Sequence, residues 1–240
     1  MTYIQSLNIQ NFQLGKFEGD GNFDIPKILP LYNVQDCKKW YGLREVPKTY
    51  DTHNCGLHFF LDDYRFQCVW NNPINYLDIL HRYRYVLAPD FSMFVDYPKA
   101  LCMYNHYRKH WCARYWQENG IDVIPVINWM YDDSFEWCFD GEPCNAIVAV
   151  SSKGVCNSKA MIDMFRTGYA EMERKLQPTK VLWFGKYCLE EPRGNVMMIK
   201  TTFDDRIAML RREHSKQKEE PQWEEETRIA DALAVAEECC

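Results

Sequence analysis

Five short apolar runs, each ending on a small or acidic polar residue, constrain this chain more than any other feature. They are LHFFLDD (57–63), YVLAPDFS (85–92), VIPVINW (123–129), IVAVSS (147–152) and VLWFG (181–185). An apolar run of this length bounded by turn residues reads as a buried strand. The exits then carry Asp62 and Asp63, Asp90, Asn128, Ser151 and Ser152, and Gly185. In parallel α/β folds the carboxyl ends of the strands are where ligands bind and chemistry happens. The pattern therefore locates a site without naming a reaction.

The text between the runs is helical. After the first run, Pro73 begins a helical turn, and Leu77, Leu80 and Tyr83 share a face. After the second, Pro98 to Asn119 reads as a long helix closed by Gly120, with proline near the start and glycine just past the end. After the fourth, Ser158 to Leu176 is amphipathic along Ile162, Phe165, Tyr169, Met172 and Leu176, and Pro178 prevents its continuation. Such alternation argues for a parallel sheet with helices packed outside it. Residues 25–32 offer a further strand before the first run, and 195–203 one after the last. The interval from Gly185 to Asn195 is too short for a crossover helix, so that last strand is expected to return antiparallel. The fold class is α/β: an incomplete or reduced parallel (β/α) barrel, with an open doubly wound sheet as the competitor.

Three segments follow: an extended N-terminal segment (1–24), the α/β barrel-like body (25–203), and a charged, partly helical or mobile tail (204–240). The net charge of −6 is unevenly spread, because the tail holds eleven acidic and six basic side chains. A nearly neutral body has no global field to attract nucleic acid. Aliphatic and aromatic content (47% apolar, 15% aromatic) is that of a globular protein, and no run nears the roughly 20 apolar residues that span a bilayer. The first residues lack a basic start and an apolar core, so no secretory signal is expected. Eleven scattered cysteines read as reduced thiols rather than a disulfide framework, which fits a cytoplasmic protein. The final Cys239–Cys240 pair matches a prenylation ending only superficially.

The segments LHFFLDDYRFQCVWNNP, VLAPDFSMF, YWQENGIDVIPVINW, FEWCFDG, IVAVSSKGV and KLQPTKVLWFGK carry a resemblance. Over about residues 28–190 the chain resembles the domain of unknown function 4417 family, which is associated with phages, prophages and bacterial genomes. The resemblance implies a phage- or prophage-type protein, and through some members a weak association with replication. A rolling-circle nicking site would need two histidines around one apolar residue and a helical tyrosine. His106 and His110 have helical spacing instead.

Candidate chemistry gathers at the exits. Asp62, Asp63 and Asp90 are candidate catalytic carboxylates, able to act as an acid/base pair or, through Asp62 and Asp90, to bind Mg²⁺ or Mn²⁺. Neighbouring strand residues point to opposite sides, so only one of Asp62 and Asp63 can face a mouth shared with Asp90. The structural alternative has Asp63 capping the helix that follows and Asp62 pairing with Arg65. Asn128 and Trp129 suit a planar or sugar-like ligand, although Trp129 equally suits packing against its own loop. Ser151, Ser152 and Gly154 form a strand-to-helix corner whose N–H groups could hold an anion, with Lys186 as a second contact. Asp140–Gly141 reads as a turn.

The helix at 98–119 is harder to read. Cys102, His106, His110 and Cys112 lie on it, but structural zinc sites more often pair ligands across a short turn. Arg108, Lys109 and Arg114 among aromatics would suit single-stranded nucleic acid. The simpler reading is a buried stripe of Leu101, Tyr104, Trp111 and Tyr115, leaving the charges solvated. Two functions of different class remain: a hydrolase acting on a phosphate- or sugar-containing substrate through the carboxylates, or a non-catalytic binder of nucleotide, nucleic acid or host protein. Small-molecule or nucleotide-like ligands are thus the expected partners, nucleic acid a weaker one, and a membrane is not expected.

Overall fold

The computed structural model describes residues 10–35, 37–46, 49–192 and 194–201. These residues fall in one compact unit that ends at Thr201. The charged tail at 204–240 lies outside the described residues, as does the start of the N-terminal segment.

A small antiparallel hairpin comes first, β1 (Gly19–Asp20) with β2 (Ile25–Pro26). The strand expected at 25–32 thus shrinks to two residues, and it lies outside the main sheets. Its residues Pro26 and Pro30 lack the N–H that a central ladder requires. Four strands then run parallel in chain order: β3 (Lys39–Gly42), β4 (Cys55–His58), β5 (Tyr85–Leu87) and β6 (Val123–Ile124). Between β4 and β5 lie three short helices, α1 (Asp63–Phe66), α2 (Cys68–Asn71) and α3 (Leu77–Leu80). The expected face survives there, with Leu80 and Tyr83 buried and Leu77 packed against them. Between β5 and β6 runs α4 (Lys99–Glu118), ended by Gly120 in a left-handed conformation (φ +80°).

A second parallel sheet holds β7 (Ile147–Ser151), β8 (Lys180–Phe184) and β9 (Val196–Ile199). Helix α5 (Lys159–Leu176) connects β7 to β8. Ser158 caps it by accepting from Met161 N, and Gln177 closes it in the left-handed region. Against expectation β9 is parallel to β8. A five-residue strand is about 17 Å long, and eleven extended residues reach about 35 Å. The segment 185–195 therefore has length enough to carry the chain back without a helix.

Single parallel bridges link the two sheets on both sides, Val126 to Ala149 and Trp40 to Thr201. Alternation along the strands divides the core. Ile147, Ala149, Leu182 and Phe184 join a cluster with Trp40, Leu57 and Val86 of the first sheet. Their neighbours Val148, Val150, Val181 and Trp183 turn the other way, onto Phe165, Tyr169 and Met172 of α5.

Helix α4 departs from the amphipathic expectation. Leu101 and Tyr104, assigned to a buried stripe, are about 40% exposed, whereas Arg108 and Lys109 are buried. The hairpin, the α1–α2 segment and the sheet each cover part of this helix, so no broad solvent face remains for its charges. Trp116 stacks on Phe59 (5.5 Å between centroids) and Trp111 meets Trp70 edge-on. Among the described residues no helix is long and apolar enough to cross a membrane.

Candidate functional site

The exit of β5 continues through Ala88 and Pro89 to Asp90, and the exit of β6 through Val126 and Ile127 to Asn128. Because β5 and β6 are neighbours and parallel, the two side chains meet: Asn128 Nδ2 donates to Asp90 Oδ1 at 3.1 Å. The other end of the amide is fixed by Lys109, whose Nζ donates to Asn128 Oδ1 (3.0 Å), Val126 O (2.8 Å) and Glu142 Oε1 (2.8 Å). Three acceptors match the three hydrogens of an ammonium, which accounts for a lysine with almost no exposed surface.

Asp90 itself is largely shielded. Burial pushes its carboxyl up to about 6, against the pull of Lys109; nearby Asp63 adds to the rise, while the Asn128 hydrogen bond and Lys153 oppose it. A carboxyl poised there holds or releases a proton near neutrality, as a general acid or base requires. Asp63 is engaged by the next exit loop, accepting from Ser92 N (3.1 Å) and Ser92 Oγ (2.8 Å). It ties the β4 exit to the β5 exit and directs its remaining charge toward Asp90. Asp62 is exposed at the start of α1, where its carbonyl accepts from Arg65 N.

The remaining expected residues divide. Trp129 is buried between Phe139 and Phe165, and its ring lies so close to Gly168 of α5 that a Cβ there would sit 2.1 Å away. Ser152 is buried, its hydroxyl donating to Lys186 O (2.6 Å) and accepting from Trp183 Nε1 (3.2 Å). Ser151 stays half-buried and accepts from Lys153 N. Gly154 is exposed in a left-handed conformation (φ +81°), and the Lys186 side chain is exposed. The exits thus bring together Asp90, Asn128 and Asp63, with Lys153 close enough to act on Asp90. Trp129 and Ser152 belong to the packing around them.

Behind Lys109 lies a buried cluster that the exits did not suggest. Glu142 Oε1 also lies 3.0 Å from His110 Nε2, and His110 Nδ1 lies 2.9 Å from Pro26 O. Burial opposes ionisation of Glu142, yet Lys109 and His110 together outweigh it and lower its pKa. His106 lies beside His110, the rings tilted by 54° with 4.3 Å between centroids, and its Nε2 is 3.2 Å from Asp140 O. Burial, then the charges of His110 and Lys109, hold His106 neutral, well below the usual histidine range. Gly141 (φ +74°) permits the crowding, since a Cβ would stand 2.7 Å from Pro26 O and 2.8 Å from His110 Nδ1. Among the described residues, the one group of three metal-type donors within 4.8 Å is His106, His110 and Glu142; Asp62, Asp63 and Asp90 form no such group.

Residues 17–200 match the family described as Domain of unknown function (DUF4417). The chain belongs to this family. Among its relatives, the Gene 1 protein of Mycobacterium phage L5 is 38% identical over 195 residues, covering 79% of this chain and 84% of the phage protein. The Gene 1 protein of Mycobacterium phage D29 is 38% identical over 194 residues, covering 79% and 71%. No solved structure matches the chain. The matched span includes both the strand exits and the buried cluster, so this is a phage-type protein whose shared domain carries the candidate site.

Proposed function

We propose that this phage-type protein is a hydrolase of a phosphate- or sugar-containing small molecule, with Asp90 as its general acid and base. In this reading the seven parallel strands close into a small barrel. The bridges Val126–Ala149 and Trp40–Thr201, together with the core cluster drawn from both sheets, support that closure. Polar exits would then face one mouth, as in larger parallel barrels. Asp90, protonated near pH 6, gives its proton to the leaving oxygen and recovers one from the attacking water. Asn128, oriented by Lys109, holds the carboxyl in place. Lys153 and the Ser151–Gly154 corner receive the anionic part of the substrate.

The observation that carries this reading is the shielded Asp90 carboxyl bonded to Asn128 at the junction of two parallel strand exits. The test is turnover of a panel of nitrophenyl phosphates, nitrophenyl glycosides and nucleotides by the full chain and by Asp90→Asn. Expected is hydrolysis of one class, with a pH–rate limb near 6 and a loss of about 100-fold or more in Asp90→Asn. Turnover that survives the substitution removes Asp90 from the chemistry.

A second reading, recognition of a nucleotide or nucleic acid without turnover, is favoured by exposed aromatics on the segments leaving β4, β5 and β6: Tyr64 on α1, and Phe94, Tyr97 and Tyr131. Rings so placed can stack on bases. Saturable binding without product formation over the same panel would favour it.

A further inference from the structure

We propose that His106, His110 and Glu142 form a closed binding site for a single transition-metal ion, Zn²⁺ by donor chemistry, between helix α4 and the loop before β7. The site is separate from the Asp90 mouth and does not rest on the hydrolase reading.

Hydrogen bonds on the outer side of each ring set the arrangement. A backbone carbonyl only accepts, so the His110 nitrogen facing Pro26 O is an N–H donor (2.9 Å). The same reasoning makes His106 Nε2, 3.2 Å from Asp140 O, the protonated nitrogen of that ring. His106 therefore turns a bare lone pair, Nδ1, away from its carbonyl, whereas His110 Nε2 donates to Glu142 Oε1 and would release that proton on binding an ion. An N–H donated to a backbone carbonyl is the usual way a metal-binding histidine is oriented.

Two of the inner atoms lack partners. His106 Nδ1 has no hydrogen-bond donor, and neither has Glu142 Oε2, although both are buried. Their residues are 1% and 8% exposed. Two unpartnered acceptors in a dry interior are costly to the fold. One nitrogen from each histidine and one Glu142 oxygen lie within 4.8 Å of one another, and His110 Nε2 is 3.0 Å from Glu142 Oε1. With Zn–N and Zn–O bonds of about 2.0–2.1 Å, tetrahedral ligands sit roughly 3.3 Å apart. An ion bound through His106 Nδ1 and Glu142 Oε2 would satisfy both orphaned atoms at once.

Lys109 completes the second layer. It holds Glu142 Oε1, leaving Oε2 free, as ligating carboxylates are commonly held by an outer donor. The histidines are four residues apart on α4, one helical turn, which brings both to the same face. Two imidazoles and one carboxylate suit Zn²⁺ better than Mg²⁺ or Ca²⁺, which prefer all-oxygen sites. Because the donors are sealed from solvent, the ion would serve structure, pinning α4 to the segment around Gly141, with a water in the fourth position.

The full chain, stripped with a chelator and dialysed, is titrated with Zn²⁺ and separately with Co²⁺. Expected are one ion per chain, a rise in Tm of several degrees, and Co²⁺ visible bands of tetrahedral type without thiolate charge-transfer absorption. His106→Gln and Glu142→Gln should each abolish the Tm response, while Cys144→Ser should keep it. If a variant fails to fold by circular dichroism, the Co²⁺ spectrum of the unaltered chain still decides between imidazole–carboxylate and thiolate donors. Absence of a stoichiometric ion, a thiolate-type spectrum, or an unchanged response in both folded variants would overturn the assignment.

Discussion

Asn128 stands between Lys109 and Asp90, donating to the carboxylate at 3.1 Å and accepting from the ammonium at 3.0 Å. The amide orientation follows from chemistry, since Lys109 can only donate. Lys109 therefore influences Asp90 through space and through an oriented dipole, not as a direct ion pair. Burial keeps this carboxyl above the ordinary carboxylate range, and Asp63 adds to the rise, while Lys109 and the Asn128 hydrogen bond pull it down without overcoming them.

The pH dependence of stability should report this. Asp90 has an unfolded value of 3.8 and a folded value of about 6. Folding thus favours its protonated form: the contribution is fully present below 3.8 and is lost as pH rises through about 6. The difference corresponds to about 3 kcal/mol at most. Asp90→Asn should gain stability relative to the unaltered chain above about pH 6, with the gain shrinking steadily on acidification toward pH 4. Denaturation midpoints across that range check it. A difference that stays constant with pH would mean the carboxyl is ordinarily solvated.

Lys109 and Glu142 should behave as a unit. Removing one partner of a buried ion pair leaves an uncompensated charge and costs about 3–5 kcal/mol, whereas replacing both with apolar groups of similar size is often near neutral. Lys109→Met should therefore be severely destabilised, and Lys109→Met with Glu142→Leu should recover most of the loss. With Lys109 present the folded pKa of Glu142 is lowered, so its stabilisation is present above 4.5 and falls away as pH drops through the lowered value. Without Lys109, burial dominates and protonation relieves the strain on the fold. The Lys109→Met deficit should be largest near neutral pH and smaller in acid, as read by urea denaturation at several pH values.

Parts of this arrangement were legible in the sequence for physical reasons. The apolar runs marked β4 to β8 because a strand buried on both faces needs uninterrupted hydrophobic residues. Pro98 and Gly120 bounded α4 because each has one favoured place at a helix end. Asp90 and Asn128 could be paired in advance because their strands read as consecutive and parallel. Strand β3 was not legible: Lys39 and Gly42 interrupt a run of only four residues. The direction of β9 was misjudged because a crossover was equated with a helix. The buried cluster was invisible for another reason. Lysine and glutamate on helices and loops are nearly always solvated, and Lys109 finds Glu142 across 33 residues. A usable signal existed in α4, where Arg108 falls at helical spacing from Leu101, Tyr104 and Tyr115 and so puts a charge inside the apolar stripe.

Gly168 tests the packing that removes Trp129 from solvent. Alanine is better than glycine in a helix interior by about 1 kcal/mol, so an exposed glycine at this position would be improved by substitution. Here a Cβ would lie 2.1 Å from two atoms of the Trp129 indole. The ring is wedged between Phe165 and Phe139 and has nowhere to retreat. Gly168→Ala should destabilise by about 1–3 kcal/mol, the usual cost of overpacking, as measured by chemical denaturation. A neutral or stabilising result would show that the indole can move and that Trp129 is available for other contacts.

Asp63 offers the sharpest check on whether the exits share one mouth. Its carboxylate accepts from both the backbone and the hydroxyl of Ser92, so it is fixed to the β5 exit loop. Its negative charge also raises the pKa of Asp90. Asp63→Asn keeps the size of the side chain and an acceptor oxygen for Ser92 but removes the charge. The stability cost should be modest, about 1–2 kcal/mol for weakened charge-assisted hydrogen bonds. The Asp90 midpoint should move down from about 6. A carboxyl-carbon NMR titration of the two proteins reads this directly. An unmoved midpoint in a folded Asp63→Asn would mean that solvent screens the two carboxylates from each other, and that the exits of β4 and β5 open onto separate surfaces.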